Sequence, residues 1–577
     1  MMERWGPGPV FTYEWLITSR RRQVYAIRSL FVAALLAGLA VVWWTEVAEH
    51  NPLTFGDLAK LGRSFYLAIV GTQFALVLTA APAAMAGAIC VDKSRGTLAH
   101  LLMTDLSDAE IVLGKLAARL ISVLGILACT LPVLALGTLL GGIDPLLLTG
   151  AFLVALGLVF LGSTLAMALS VWASRPHEAL LATYLLLAVW LLLRPTWVYT
   201  LNMGGWNAPT FLDPLGLTFA PGADAMGALT DSAIFLFLCC LASAALAFLS
   251  VRKTRSVAIQ QMSCAVPSRR VSPIAERIRR AIPGWPSPSL DGNPVLWREW
   301  HRNRPSRGIV VLSILYATIV GTSSLAAMVS VLAHGARGNS IAPWVTGLGS
   351  SIGFLFLAVV ASTSLAEERA RGSLDVLLAT PLPTRAIVLG KWWSAYRLVP
   401  WLIVAPVLIT SSFVWIMPGQ EMIPFLLTGW ILSYGAALTS LGLALATWIT
   451  RLERVLVATI TIHLLITVGW CCLVLTLCDR QESWGLAEAS SFFGPGNLTA
   501  IMSMQSKGAN GPLWDQSVKW ALGWIGFYLM VAYGLLHATL ATFDRCLGRV
   551  SNAANRHDSN AKTEVNNEHF STRSKHP

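Results

Sequence analysis

Long apolar runs, separated by short polar breaks, occupy most of this chain. A helix that crosses the hydrocarbon core of a bilayer needs roughly 20 mostly apolar residues. The sequence contains about twelve runs of this kind, which predicts an all-α polytopic membrane protein with about twelve transmembrane helices. The predicted spans are 28–44, 65–90, 117–141, 147–173, 178–200, 232–251, 308–332, 343–366, 394–416, 424–449, 453–477 and 519–541.

The composition excludes an ordinary water-soluble domain. Hydrophobic residues make up 55% and charged residues 12% of the 577 residues, and that charged share is roughly half of the share in soluble globular chains. The nine cysteines lie mostly inside the apolar runs and are interpreted as small apolar side chains. The first 29 residues lack a small-residue cleavage site after a short apolar core, so we expect the N-terminus to be retained.

The positive charges are unevenly distributed along the chain. Twelve Lys or Arg residues lie between 252 and 307, whereas 202–231 contains none and carries three Asp residues. Basic residues concentrate in the cytoplasmic loops of membrane proteins. We therefore explain the net charge of +12 by membrane topology and not by nucleic acid binding. The pattern predicts a multi-pass protein of the cell (inner) membrane, in contact with the lipid bilayer, whose N- and C-termini are cytoplasmic.

The chain contains an internal repeat. Residues 91–115 (VDKSRGTLAHLLMTDLSDAEIVLGK) align without a gap on 367–391 (EERARGSLDVLLATPLPTRAIVLGK), and twelve of the twenty-five columns are identical. The offset of 276 residues holds further along the chain. At this offset Trp172, Arg175, Ala182 and Thr183 match Trp448, Arg451, Ala458 and Thr459.

Similar segments also mark the start and the end of each copy. PVFTYEW (9–15) resembles PVLWREW (294–300), and this match places Glu14 and Glu299 at the same step. Near the end, Pro214, Leu217 and Thr218 match Pro495, Leu498 and Thr499. An even number of crossings in each copy predicts two parallel six-helix repeats related by an axis along the membrane normal. The predicted domains are a first six-helix unit with an N-terminal amphipathic segment (1–251), a basic Pro/Ser-rich cytoplasmic linker (252–292), a second six-helix unit (293–550) and a disordered cytoplasmic tail (551–577).

The linker is too polar to span a membrane. Within it, Ile274, Ile278 and Ile282 share one face of a possible helix. Two interpretations stay open: an amphipathic helix on the anionic lipid surface, or a solvated flexible tether. The tail is predicted to be disordered because it contains few apolar residues.

The pattern R-G-[TS]-L-x-x-L-L-x-T-x-L follows the second span of each copy. Its leucines have helical spacing, so we expect a short helix under the membrane, with one face against the bundle and with Asp92, Lys93 and Arg95 pointing toward the cytosol. A loop that only stops translocation needs charge and not this pattern. The repeated pattern therefore indicates a functional surface. The candidate residues are Asp92, Lys93, Arg95, Gly96, Thr97, Leu98, Leu101 and Leu102 in the first copy and Glu367, Glu368, Arg369, Arg371, Gly372, Ser373, Leu374, Leu377 and Leu378 in the second.

These segments resemble the loop between helices two and three of type-2 ABC exporter permeases. The shared features are a charged start, Gly-[TS]-Leu, a Leu-Leu pair, a Thr and a terminal Gly-Lys, with a Pro-led segment carrying a Glu at the start of each half. The resemblance implies the membrane subunit of an ATP-binding cassette exporter, with two six-helix units fused in one chain. It implies that the loops are coupling helices docking onto a dimer of ABC ATPase subunits, and that Glu14 and Glu299 lie on amphipathic helices along the membrane. Two departures affect the first copy: Asp92 replaces the commoner Glu, and Asp105 stands where the second copy keeps Pro381.

The sequence contains no phosphate-binding loop of the form G-x-x-x-x-G-K-[ST]. ATP and Mg are therefore expected on the partner chain, and this chain by itself is not expected to be an enzyme. The sequence shows no catalytic, metal-binding or cofactor-binding constellation. His463 and His537 lie singly within apolar helices and are interpreted as neutral side chains hydrogen-bonded to a neighbouring helix.

Two other classes of protein fit parts of the pattern. An ion-coupled secondary transporter of the major-facilitator kind also has twelve helices in two parallel halves and a charged loop after helix two. Its G-x-x-x-D-[RK]-x-G-R pattern fits 87–96 only loosely, and the second copy lacks the Asp-basic pair. A membrane scaffold or an enzyme without transport is supported by no site. The substrate is not indicated, and we expect its contacts to lie between the halves and to be mainly apolar.

Overall fold

The computed structural model describes most of the chain and shows a helical bundle. The described residues are 8–20, 22–48, 55–139, 144–173, 175–203, 210–219, 225–263, 290, 292–302, 307–335, 341–370, 372–416, 419–470, 474, 485–504 and 512–548. They are almost entirely helical and include no strand, so the predicted all-α class is confirmed. Arg371, the helix proposed around Ile274 and the tail 551–577 lie outside the described residues.

The first half begins with a short helix and continues through long apolar helices joined by short ones. Its described helices are α1 (Gly8–Ser19), α2 (Arg22–Ala48), α3 (Phe55–Met85), α4 (Cys90–Ser94), α5 (Thr97–Leu102), α6 (Asp108–Ala128), α7 (Thr130–Leu139), α8 (Pro145–Trp172), α9 (Pro176–Met203), α10 (Pro214–Phe219) and α11 (Ala225–Ser263). The last of these continues beyond the predicted start of the linker at 252, so part of the predicted linker is helical.

The second half repeats this order. Its described helices are α12 (Pro294–Arg302), α13 (Arg307–His334), α14 (Ile341–Ala370), α15 (Ser373–Leu378), α16 (Thr384–Tyr396), α17 (Val399–Ile416), α18 (Met422–Trp448), α19 (Leu452–Leu464), α20 (Phe493–Met504) and α21 (Pro512–Leu547). A short π-helical segment, Leu465–Gly469, extends α19.

The described residues of all twelve predicted spans lie mainly on helices, and ten described helical segments are long and apolar enough to cross a membrane. The other two spans lie on α2 and α9, in which the described apolar segments, Phe31–Ala40 and Glu178–Trp190, are shorter. The protein is therefore a multi-pass helical membrane protein. The number of crossings, twelve, stays a prediction.

The two halves pack against each other through their second and fifth spans. One apolar cluster joins Cys90 and Leu181 of the first half to Phe356 and Ile460 of the second. The helices α9 and α14 contribute most of these contacts. The surface between the halves, where we expect the substrate contacts to lie, is a packed apolar core in this structure. The substrate contacts themselves stay a prediction.

The second span differs between the halves just before the repeated loop. In the first half, α3 ends at Met85 and a turn at 86–89 precedes α4, and the Ser170 hydroxyl accepts hydrogen bonds from the amides of Ile89 and Cys90 at 3.1 Å. In the second half, α14 runs unbroken to Ala370. The loop of the second half therefore continues more directly from its span.

Candidate functional site

Each repeated loop is followed by a helix whose Gly-Lys pair packs against the helix at the start of that half. A Cβ placed on Gly390 would lie 3.1 Å from Val295 Cβ and 3.2 Å from the amide nitrogen of Leu296. A Cβ on Gly114 would lie 3.1 Å from the amide nitrogen of Phe11. Such contacts are tighter than a side chain normally makes, so glycine allows α12 and α1 to approach closely.

The lysine that follows this glycine in the second half is the centre of a buried ion cluster. Lys391 Nζ lies 2.5 Å from Glu299 Oε1 and 2.8 Å from Glu368 Oε2. The lysine side chain is 1% exposed and that of Glu299 is 5% exposed. Glu368 also lies 3.3 Å from Arg298. A buried charge is tolerated when it is paired in this way, and the cluster ties α12, the end of α14 and α16 together.

The first half has the same cluster at the equivalent positions. Lys115 Nζ lies 2.7 Å from Glu14 Oε1 and 2.7 Å from Asp92 Oδ2. The lysine side chain is 5% exposed, but the two carboxylates are 19% and 21% exposed. Each copy therefore joins its leading helix, its loop and its third span through one lysine and two acids. The side chains of the cluster are more exposed in the first copy than in the second.

The Gly-[TS] step of the pattern makes the turn into each short helix. Gly96 and Gly372 have φ angles of +74° and +71°, a left-handed conformation that favours glycine. The Thr97 hydroxyl donates to Asp92 Oδ1 at 3.1 Å. Ser373 donates to the backbone carbonyl five residues before it at 3.3 Å. The predicted short helices are present as α5 and α15, and these turns set their direction.

The threonine near the end of each repeated pattern makes the same hydrogen bond in both copies. Thr104 donates to the carbonyl of Leu101 at 2.6 Å, and Thr380 donates to the carbonyl of Leu377 at 2.6 Å. Each hydroxyl thus adds a hydrogen bond to a carbonyl at the end of its short helix, which the amide of the same threonine also binds.

The basic residue at the start of each loop holds the end of the fourth span. Lys93 donates to the carbonyls of Val171 and Ala173, the latter at 3.0 Å. Arg369 donates to the carbonyl of Thr447 at 3.2 Å. Both contacts satisfy carbonyls at helix C-termini and place a positive charge at the negative end of a helix dipole.

Of the three loop charges that were expected to point away from the bundle, only Arg95 does so. The side of the membrane on which it lies stays a prediction. Asp92 and Lys93 do not point away from the bundle, because a buried lysine and a helix end bind them. The sequence pattern could not show these partners, because Lys115 lies on a different helix from Asp92 and the carbonyls bound by Lys93 lie 78 and 80 residues away.

The short helices present one apolar side to the bundle and another to the outside. Leu98 and Leu374 are 1% and 2% exposed. In contrast, Met103 is 83% and Val376 is 72% exposed. The sequence analysis did not identify these two outward-facing residues. They occupy columns three positions apart, since Val376 aligns with His100 and Met103 with Ala379. Of the remaining pattern leucines, Leu377 is buried, and the others are half-buried: Leu101, Leu102, Leu106, Leu378 and Leu382.

The predicted amphipathic character of the leading helices is pronounced in α12 and weak in α1. In α12 the apolar Val295 and the paired Glu299 are buried, whereas His301 is exposed. In α1 the exposed residues include Tyr13 and Leu16, so apolar side chains lie on more than one face. The N-terminal segment therefore departs from the prediction.

An ion pair connects the two halves at the loop end. Arg175, which precedes α9, binds Glu367 at the end of α14. Arg175 lies two residues beyond Ala173, whose carbonyl Lys93 binds. Both repeated loops are therefore at the same end of the molecule.

His463 is buried and hydrogen-bonded to two neighbouring helices, which confirms its predicted role. Its Nδ1 lies 2.9 Å from the Tyr434 hydroxyl, and its Nε2 lies 3.2 Å from the carbonyl of Ser351. His537 differs, because it lies on an exposed face of α21 beside Tyr533.

A buried acid, Glu488, lies in the segment between the last two spans. Its Oε1 accepts a hydrogen bond of 2.7 Å from Asn497, and its side chain is nearly inaccessible to solvent. Burial raises the pKa of Glu488 to about 8, although the hydrogen bond from Asn497 acts in the opposite direction. The carboxyl group is therefore mainly protonated at neutral pH.

No protein-family model matches the chain, and the curated proteins include no significant match to it. Among the described residues, no group of three or more His, Cys, Asp or Glu side chains could hold a metal ion. The candidate site is thus the pair of loops with their ion clusters and exposed apolar residues.

Proposed function

We propose that the chain is the membrane-spanning permease of an ATP-binding cassette exporter and that the repeated loops receive motion from a separate ATPase dimer. The observation that carries this proposal is the duplicated architecture at one end of the bundle. Each half fixes a short helix with a buried lysine and two acids, and the two loops expose Met103 and Val376. Exposed apolar side chains on a rigid short helix suit protein docking.

The loops are also connected to the surface between the halves. The α5 loop follows the second span of the first half, and α15 follows α14. Residues of these same spans, including Ile352 and Phe356, form the apolar core between the halves. A displacement of either short helix would therefore tilt a helix that forms this core, and an opening between the halves would provide the transport route.

The distribution of charge supports a cytoplasmic location for the loop end. The basic segment 252–307 joins the halves along the chain and includes the leading helix α12. In the inner membrane, the positive-inside rule would place this segment and both termini in the cytoplasm, where ATP and Mg are available to an ATPase partner.

The proposal is tested by purifying the full chain gently from its native membrane and identifying the proteins that accompany it. We expect an ATPase with two copies per chain, whose hydrolysis rate changes when it is released from the membrane protein. A chain that transports alone on a proton gradient, indifferent to ATP, would instead establish the secondary-transporter alternative.

A further inference from the structure

The second half contains a large groove that the coupling loops do not explain. It has a volume of about 1360 Å³ and lies between α13 and α17, with α14 as its floor. This volume exceeds that of most small-molecule pockets, which reach about 1000 Å³. The apolar residues at its edges, Leu325, Trp401 and Leu408, are 58%, 56% and 54% exposed. The groove therefore opens sideways, toward the region that lipid occupies around a membrane-spanning bundle.

One end of the groove is charged. Four cations and three carboxylates line that end, which gives a formal charge of +1. The carboxylates are already bound by Arg175, Arg298 and Lys391. The fourth cation, Arg397, lies over the ring of Trp300 at 5.1 Å and is attracted by the carboxylate of Glu299, which Lys391 also binds. An acidic group at this end would neutralise the excess charge.

The groove wall also contains buried hydroxyl groups without partners. Ser324 and Ser350 line the groove and are 7% and 2% exposed. Neither hydroxyl oxygen has a hydrogen-bond partner among the described residues. A buried hydroxyl without a partner is costly, and ester or glycerol oxygens of a bound molecule could satisfy these two groups.

The corresponding region of the first half is filled by side chains. Phe31, Leu35 and Leu39 of α2 pack there against Phe65 and Ile69 of α3 in a buried apolar cluster. The groove is therefore a property of the second half and not a consequence of the repeat.

We infer that the groove binds an acidic phospholipid from the surrounding membrane, with its acidic head at Arg397 and its acyl chains between α13 and α17. Three features agree on this occupant: the sideways opening, the apolar length of the groove and the excess positive charge at one end. The charged end of the groove shares Glu299, Glu368 and Lys391 with the ion cluster of the second loop. Lipid binding does not require ATP coupling, however, so a negative result here would leave the proposed permease function intact.

Native mass spectrometry of the full chain in a mild detergent tests the inference. The chain is titrated with phosphatidylglycerol and with phosphatidylcholine that carries the same acyl chains. We expect phosphatidylglycerol to bind roughly tenfold more tightly, since its net charge pairs with a guanidinium. Arg397→Gln should remove this preference and leave phosphatidylcholine binding unchanged. Arg454→Gln, which changes an exposed arginine outside the groove, is the matched control.

A second variant blocks the groove itself. Gly321 lines the groove, and a Cβ at this position would meet no atom within 4 Å. Gly321→Phe should lower the occupancy of both lipids several-fold, whereas Gly526→Phe, at an equally open glycine of α21, should not. Equal binding of the two lipids, or variants that behave like their controls, would show annular lipid only and overturn the inference. Displacement of phosphatidylglycerol by glycerol phosphate would also overturn it, because the site would then select a water-soluble anion.

Discussion

Lys115 and Lys391 each hold two carboxylates where water is largely excluded. Their acidic partners on the leading helices are 101 and 92 residues away along the chain. The repeat identified the two lysines as matched positions. The sequence showed that they do not belong to a nucleotide-binding loop, but it did not show what they bind. Pattern analysis finds groups that share one helix, whereas these clusters depend on how three helices meet.

Removal of the second-half lysine should destabilise the protein strongly. Lys391→Met would leave Glu299 and Glu368 without their buried partner, and we expect a cost of roughly 3–5 kcal/mol. Lys115→Met should cost less, because its two acids are partly exposed. Thermal unfolding in detergent measures both effects. Addition of Glu299→Gln to Lys391→Met should restore much of the loss; a double variant less stable than the single one would show that the lysine acts through packing and not through charge.

Glu488 predicts a dependence of stability on pH. The native carboxyl group keeps its proton up to about pH 8, whereas the unfolded chain releases it near the ordinary value of 4.5. Because the folded state binds more protons between these values, stability is fully present below about 4.5 and falls as pH rises toward 8, by at most about 1.4 kcal/mol per pH unit.

Melting temperatures recorded between pH 5 and 9 test this dependence. Glu488→Gln keeps an acceptor for Asn497 and should flatten the pH profile. Glu421→Gln, at an exposed acid, should leave the profile as it is in the wild type. A profile that is equally steep with and without Glu488 would assign the pH dependence to other groups.

At the scale of helices, apolar length was enough to predict helices for the described part of every span, and leucine spacing was enough to predict α5 and α15. The turn at 86–89 was not predicted, because the contact that accompanies it comes from Ser170 on another helix. The weak amphipathicity of α1 was missed because its alignment with α12 was based on Pro and Glu positions and not on its apolar faces. The local sequence pattern therefore predicted where helices occur, but it did not predict the turn that interrupts one helix or the exposed apolar faces of another.

The exposed apolar residues of the loops provide a test of docking that spares the buried clusters. Met103→Asp and Val376→Asp should each lower the amount of ATPase that accompanies the chain, and the double variant should lower it roughly tenfold or more if these are central contacts. Folding should be unaffected, because both side chains are mostly exposed and make few contacts within the bundle. Met422→Asp, at an exposed methionine that begins α18, is the control. Unchanged co-purification in the double variant would exclude these residues from the docking surface.

At the scale of the whole molecule, the repeat predicted two similar halves, and the structure shows which of their surfaces meet. The contacts use α9 and α14 and include an ion pair that the repeat does not duplicate. Arg175 has a counterpart in Arg451, but the position equivalent to Glu367 is Val91. An internal repeat is found from the columns that match. Glu367 has no acidic counterpart in the first copy, so the repeat did not indicate that this residue contacts the other half.

The unmatched pair leads to a prediction about how the halves are held together. Glu367→Arg would place two cations side by side and should lower stability, although by only about 1 kcal/mol because Arg175 is 39% exposed and water screens the charges. The exchange of both charges, Arg175→Glu with Glu367→Arg, should recover the loss, whereas Arg451→Glu alone should have little effect because Val91 offers no charge to this position. A double-mutant cycle on thermal stability measures the coupling between the two side chains. Additive losses in the cycle would mean that the ion pair does not hold the halves together and that the apolar core of α9 and α14 is sufficient.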